Sequence, residues 1–439
     1  MTSSTALQSG REEYDAAYAK AISDVAGNIV GGRLIAGQNW ASIWTRDSCY
    51  ALDLGAGLGE PEVGEATLRA LGGPDGWMQD KAGHFGGWPY LTDSVVGAVG
   101  AWAVYLAGGD EAMLRWAFDV TRASLARAEA EVFDAPSGLF RGCSSFMESN
   151  SGYPIQFAFN GPAVGRTKAL STNLVHYRAY VLAARMATLL GEDGRSYEGR
   201  AEALKEAVNR RLWDPARGRY AYFEYAGGRR SSRMEGLGQA LAILWDVADS
   251  AQAEAVFKNT YRTAHGLPCL APPYLFWRFS YGNDADYYHN GMVWPFVQGY
   301  WAWAAASRGN AQVFGAELDA LTALAARDAT FHEFYRPDGG VPDGSPRQLW
   351  SAAGYLAMVH YGLCGMRIDA DRIRFAPVVP AKFGTIRLRG LRYREMVLDF
   401  EISGTGTSVV RCALDGNPLP APEIPLTLSG PHTVALTVS

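Results

Sequence analysis

The chain has 439 residues, 48% of them hydrophobic, and sets 40 Lys and Arg against 45 Asp and Glu for a formal charge of −5. That length allows two or three ordinary domains, or one large helical domain with an appendage, and so even a charge balance excludes a footprint for nucleic acid or an anionic membrane. The surplus lies in 13 Trp, 22 Tyr and 50 Gly, which suits a cleft for an uncharged ligand.

The opening MTSSTALQSGREEYDAAYAKA has no basic stretch followed by an apolar run, and no later segment reaches the roughly 18 apolar residues of a membrane span. Five scattered cysteines (Cys49, Cys143, Cys269, Cys364, Cys412) show no metal-like spacing and read as free thiols, so the expected location is cytoplasmic. Amphipathic periodicity predicts twelve helices near 11–29, 46–57, 61–72, 92–107, 110–131, 171–190, 195–212, 232–247, 250–262, 290–307, 312–327 and 346–363. Asp93, Ser171 and Ser345 with Pro346 stand where N-caps are expected. The nearly charge-free 92–107 belongs to an inner layer. Twelve helices find partners for every apolar face when six hairpins close into an (α/α)6 toroid, with loops at one end forming a funnel. From 371 to 439 the pattern turns to period-two alternation with turn dipeptides, a small antiparallel β-unit after a helical domain spanning 1–370.

Four loops hold the polar residues that a funnel would gather. NWASIWTRDSCYAL offers Trp40, Trp44, Arg46 and Asp47, in which a guanidinium and a carboxylate can grip vicinal hydroxyls; a helix cap with an adjacent ion pair is the plainer account. SGLFRGCSSFMESNSGYP surrounds Glu148 with Phe146, Met147 and Tyr153, so desolvation is expected to raise its carboxyl as a general acid requires, unless it is merely an exposed loop glutamate. FSYGNDADYYHNGMVWPFVQGYWAW brings Asp284, Asp286, His289, Asn290 and Trp294, a stacking platform for a sugar. FHEFYRPDGGVPDGSPRQLWSAAGYL carries Glu333, Asp343 and Trp350, and its polar, Gly-rich texture is expected to keep Glu333 solvated and ionised, as a base or as a capping residue. His289 and His332 lack partners at metal-binding spacing, so no metal is expected. Glu235, at a helix start in RMEGLGQALAIL, is a further pocket candidate for which capping is an equal explanation.

In order along 40–375, these motifs resemble the inverting six-hairpin glycosidases, and among them the glucosidase domain of glycogen-debranching enzymes, with a weaker likeness to neutral invertases and processing α-glucosidases. IWTRD looks like that family's Trp-x-Arg-Asp, TDSVVGAVGAWAVYLAGGD like the helix led by a pocket Asp (here Asp93), YHNGMVWP like its His-Asn-Gly-x-Val-Trp-Pro turn, and SPRQLWSAAGYL like its Gln-x-Trp-Ser-x-Ala segment. The resemblance implies Glu333 as general base and Glu148 as general acid, where the family has Asp in Thr-Trp-Met-Asp. Ser171 replaces an acidic residue of the family, which implies a different sugar or subsite. By that resemblance the enzyme hydrolyses an α-linked glucoside or related oligosaccharide by single displacement, with Trp44, Arg46, Asp47, Trp88, Asp93, Glu235, His289, Asn290, Trp294 and Trp350 around the sugar. The only implied partner is a small carbohydrate, with no cofactor. A sugar epimerase using His176, His289 and His332, a phosphorolytic enzyme and a non-catalytic carbohydrate-binding protein are the rivals.

Overall fold

The computed structural model describes residues 5–81, 87–88, 90–280 and 288–439. Asp284 and Asp286 lie outside the described residues, as does the side chain of Asp93. Thirteen α-helices are found among the described residues: α1 (Glu12–Gly27), α2 (Thr45–Ala51), α3 (Pro61–Arg69), α4 (Gly97–Gly108), α5 (Glu111–Glu131), α6 (Leu170–Leu189), α7 (Arg195–Leu212), α8 (Gly236–Leu244), α9 (Ser250–Asn259), α10 (Leu275–Ser280), α11 (Pro295–Ser307), α12 (Ala311–Ala325) and α13 (Leu349–Ala357). All but the short α10 correspond to expected helical segments.

Two layers follow from sequence texture. The helices α4, α6, α8, α11 and α13 are short on charge, and these and α2, whose Arg46 and Asp47 are themselves buried, are covered on most sides, which only an inner position satisfies. Each packs on the next in that order, and α13 returns to α2, so the series closes on itself. Outside it lie charged, one-faced helices such as α5 and α7. Some of these carry their own caps: Asp110 accepts from Ala112 N at the start of α5, and Asp249 forms a capping box with Gln252 at α9. Inner packing is close. A Cβ at Gly299 of α11 would lie 2.5 Å from the Cα of Gly354 in α13, so only glycine lets these two backbones touch.

Strands β1 (Ala6–Gln8), β2 (Met366–Ile368), β3 (Arg372–Phe375), β4 (Ile386–Tyr393), β5 (Met396–Gly404), β6 (Val409–Leu414), β7 (Asn417–Pro418), β8 (Glu423–Pro425) and β9 (Gly430–Val438) build two sheets. Their orders are β1-β4-β5-β9-β6-β7 and β2-β3-β8. The larger sheet departs from the purely antiparallel unit expected, because β9 runs parallel to β5. It also recruits residues 6–8 from the far end of the chain, through Leu7 opposite Leu388. The expected boundary at 371 falls between β2 and β3, so this unit starts slightly earlier, at Met366. Alternation in β4 turns Ile386, Leu388, Leu391 and Tyr393 inward, and the Tyr393 hydroxyl donates to Leu106 O at the end of α4 (2.6 Å), fixing the β-unit to the C-terminal ends of the inner helices. All five cysteines are buried and free. Among the described residues no helix is long and apolar enough to cross a membrane.

Candidate active site

The N-terminal ends of the inner helices converge on a cavity of about 320 Å³ whose walls include Trp40, Trp44, Trp294 and Trp350, with Arg46, Asp47, Lys81, Glu148, Tyr288 and Glu333 as its polar groups. Arg46, in the first turn of α2, is 3% exposed and lies between two carboxylates. Its Nε donates to Asp80 Oδ2 (3.1 Å) and its Nη1 to Glu148 Oε2 (2.9 Å) and Phe146 O (3.2 Å). Asp80 also accepts from the backbone N–H groups of Thr45 and Arg46, so it caps α2 from outside the helix. Asp47 accepts from Gln348 Nε2 at the entry to α13 (3.0 Å).

Glu148 sits in the loop before α6, and that loop is fastened from behind. Glu235, fully buried ahead of α8, accepts from the Ser171 backbone N–H (3.0 Å), the Ser171 hydroxyl (2.6 Å) and the Ser144 hydroxyl. Ser171 is therefore a donor to a carboxylate that arrives from just ahead of α8. Glu333 is fixed by a two-residue hairpin, Phe334–Tyr335 against Pro342–Asp343. Its Oε2 accepts from Ser345 N (2.9 Å) and from Trp40 Nε1 (3.1 Å). The Tyr288 hydroxyl lies between the two glutamates, 3.4 Å from Glu148 Oε1 and 3.5 Å from Glu333 Oε1.

The charge states differ from those expected. Burial raises the Glu148 carboxyl, but Arg46 and His289 outweigh it and hold it below the ordinary value. Glu333 is 3% exposed, not solvated; burial, with Glu148 adding to it, pushes its carboxyl up to about 7 despite hydrogen bonds from Trp40 and Ser345. Burial likewise moves Asp47 well above the usual range, against the pull of Arg46, and lifts Glu235 to about 7. Both expectations failed for one reason: local sequence shows neither the guanidinium arriving from residue 46 nor the indole arriving from residue 40.

Of the sequence candidates, Trp44, Arg46, Asp47, Glu148, Trp294, Glu333 and Trp350 meet at the cavity. The buried indole N–H groups of Trp44 and Trp350 have no acceptor among the described residues. His289 stands one layer back, with Nδ1 at 2.9 Å from the Ser149 hydroxyl and Nε2 at 4.0 Å from Glu148 Oε2; burial lowers its ring to about 4, so it is neutral at pH 7. Three candidates are corrected. Asn290 is spent on the Tyr274 backbone, accepting its N–H and donating to its carbonyl. Glu235 anchors the Glu148 loop rather than lining the cavity. Trp88 lies under the Arg127 guanidinium, 4.6 Å from its ring centre, in a different groove. The caps expected at Ser171 and Ser345 are also absent, since α6 and α13 start after Ala169 and Gln348 without side-chain caps. The histidines of an epimerase are scattered: His176 is packed on Phe140 and bonded to Thr172 O, and His332 pairs with Asp328. Sequence reasoning missed Asp80, Lys81 and Tyr288, none of which stands in a pattern that marks it.

Residues 89–351 match the model of the mannosylglycerate hydrolase MGH1-like glycoside hydrolase domain, and residues 366–421 match the glycosyl hydrolase family 65 C-terminal domain. A mannosylglycerate hydrolase from Rubrobacter radiotolerans is 26% identical over 181 residues, which is 41% of this chain and 40% of that protein. The chain thus spans well under half the length of that relative. In fold it is similar to the GH63 mannosylglycerate hydrolase from Thermus thermophilus (TM-score 0.62, 18% identity, 77% of this chain and 99% of the other). It is also similar to a GH78 family rhamnosidase of Bacillus sp. GL1 (TM-score 0.66, 15% identity, 100% of this chain and 44% of the other). A particular closeness to debranching enzymes is not among these findings.

Proposed function

Because the chain belongs to the MGH1-like glycoside hydrolase family, we propose that it hydrolyses a short glycoside on an (α/α)6 toroid by single displacement, with Glu148 as general acid and Glu333 as general base. The observation that carries this reading is the pair of buried carboxyl groups, bridged by one tyrosine hydroxyl in an aromatic-walled cavity. The two legs through Tyr288 cap the separation of the bridged oxygens at about 6.9 Å, a bound that admits both the low end of the roughly 6.5–9.5 Å of single displacement and the roughly 5–5.5 Å of double displacement, so the anomer released decides between them. Tryptophan faces receive the apolar side of a sugar, and Arg46 and Asp47 hold its hydroxyls. A cavity at the small end of the usual range for ligand sites favours a short substrate over a polymer.

With Glu148 ionised and Glu333 near 7, the pair fills to the one proton that single displacement needs as the pH falls below neutral, and it holds that proton on the residue assigned as base. Substrate hydroxyls competing for Arg46 would release Glu148 from its ion pair, and Tyr288 supplies a path for the proton from Glu333. Its long contacts are of the kind that tighten on substrate binding. The same charge distribution favours a second reading, in which Glu333 protonates the leaving oxygen directly and Glu148 activates water. Leaving-group dependence separates them: the Glu→Gln variant of the acid retains turnover of glycosyl fluorides, which need no protonation, and that of the base does not.

The mannosylglycerate named for the relatives favours a small carboxylated aglycone over a neutral α-glucoside. Lys81, which lines the cavity and forms no ion pair or hydrogen bond among the described residues, supports this. The test is an anomer-resolved proton NMR time course on glycosides of glycerate, neutral α-linked disaccharides and aryl glycosides. Initial release of the retained anomer would refute single displacement, and inactivity across the panel would refute the hydrolase reading.

A further inference from the structure

A second cavity, of about 280 Å³, lies at the opposite end of the same six helices, between their C-terminal ends and the β-unit. Four arginines line it: Arg178 and Arg185 on α6, Arg367 on β2 and Arg374 on β3. Arg374 is neutralised by Asp369 (2.6 Å), and the cavity's Asp246 is taken by Arg308 (2.8 Å). The other three guanidiniums have no carboxylate within ion-pairing distance among the described residues. Arg367 donates one N–H to Tyr361 O (2.8 Å), while its Nη2 is buried without an acceptor. The Nε of Arg178 is also buried without an acceptor. The remaining carboxyl lining the cavity is Asp53, already accepting from the Tyr300 hydroxyl (2.8 Å).

Arginines at helix C-termini often do no more than complement the exposed carbonyls. Arg308, which donates to Ile243 O, and Arg394, which donates to Leu106 O, do that here. Arg394 also keeps a buried Nη2 without an acceptor; what sets Arg178 and Arg367 apart is that they line one cavity together with Arg185, three guanidiniums without a carboxylate partner among the described residues, where each empty N–H forfeits a charge-assisted hydrogen bond and its hydration together. Burial lowers Arg367 to about 10, with Arg374 adding to the effect. Trp102 and Trp303 form apolar walls beside the cluster.

We propose that this floor cavity is a binding site for a phosphate-type dianion, held in a bidentate manner by Arg178 and Arg367 with Arg185 at the rim, and with space against the tryptophans for the organic part of an ester. Three unpaired cations against one carboxyl require about two negative charges, and the planar guanidinium fork matches phosphate oxygens. The site is independent of the glycosidase reading, since none of its residues lines the catalytic cavity.

Titration calorimetry and thermal shift on the full chain, with inorganic phosphate, a hexose phosphate, the neutral hexose and chloride at matched ionic strength, test it. One saturable equivalent of phosphate or hexose phosphate is expected, with the tighter of the two identifying free ion or ester. Affinity should fall about ten-fold or more in Arg367→Met and measurably in the exposed-rim Arg185→Gln, which keeps the test alive if Arg367→Met does not fold. No saturable binding, equal effects of chloride, or affinity unchanged in both variants would overturn the proposal.

Discussion

Replacing Arg46 with Met removes the cation that two buried carboxylates share. The pairs are 2.9 and 3.1 Å long, between side chains at most 7% exposed. At an effective dielectric of about 20, each attraction is worth roughly 5 kcal/mol, and burying the guanidinium returns several kcal/mol of that. Breaking such a pair on one side leaves the partner charge uncompensated, so Arg46→Met should cost about 3–5 kcal/mol in urea denaturation. Glu148→Gln in the same background should recover part of the loss, with a coupling of about 0.5–3 kcal/mol in the double-mutant cycle. The sign with pH follows from Glu148 lying below its ordinary value when folded. Its stabilisation is present above the unfolded value and fades as pH falls through the folded one, so the difference between wild type and Arg46→Met should narrow in acid. A loss under about 1 kcal/mol, or strictly additive effects of the two substitutions, would refute the claim that Arg46 holds Glu148 ionised.

Glu235 has the opposite sign, because burial lifts it from 4.5 to about 7. The folded state then holds the extra proton, and stability is lost as pH rises from about 4.5 to 7, by roughly 3 kcal/mol at about 1.4 kcal/mol per pH unit. Glu235→Gln should flatten that slope in denaturant midpoints taken at intervals from pH 5 to 7.5, and an unchanged slope would contradict it. Gly344 has φ +74°, and a Cβ there would lie 2.6 Å from Glu333 Oε2; Gly344→Ala should cost about 1–2 kcal/mol from the backbone and depress kcat by displacing Glu333, so full activity in a folded variant would count against that carboxyl as catalytic. Tyr288→Phe should lower kcat about ten-fold or more, within the range of positioned acid–base groups, with little change in KM and a shifted pH profile; a pure KM effect would make Tyr288 a binding residue only.

The helical layer was legible because it depends on local periodicity. The charge-free run in α4 needs a neighbour on every side, and an inner position supplies one whatever the details. The caps were misread at Ser171 and Ser345 because a serine before an apolar run can spend its polar groups on a distant partner. The Ser171 hydroxyl turns to Glu235, 64 residues on, and the Ser345 hydroxyl accepts from Asn39 N, 306 residues away. The site was legible as a set of residue types and failed in its electrostatics. The loop around Glu333 is rich in glycine and polar residues, yet Trp40 closes over it from 293 positions away. Asp80 was invisible because nothing near it in sequence marks a residue that caps α2 and shares Arg46.

The parallel orientation of the inner helices connects these observations with the modest net charge. With all six entering from the catalytic end, their unsatisfied N–H groups face the mouth and their unsatisfied carbonyls face the floor. A helix N-terminus favours a carboxylate and a C-terminus favours a cation, and the chain follows that division. Asp47 lies in the first turn of α2 and Glu235 just ahead of α8, with Glu148 and Glu333 beside them at the mouth. Arg178, Arg185, Arg367 and Arg374 collect around the floor. A sum of −5 therefore hides two regions of different character at the two ends of the inner helices. The acidic end can keep several carboxyl groups close together because Arg46 holds Glu148 ionised while burial raises Asp47, Glu235 and Glu333, so they are not all charged at neutral pH. At the basic end the carbonyls meet only part of what three unpaired guanidiniums require, and the remainder is the physical reason to look for an anion there.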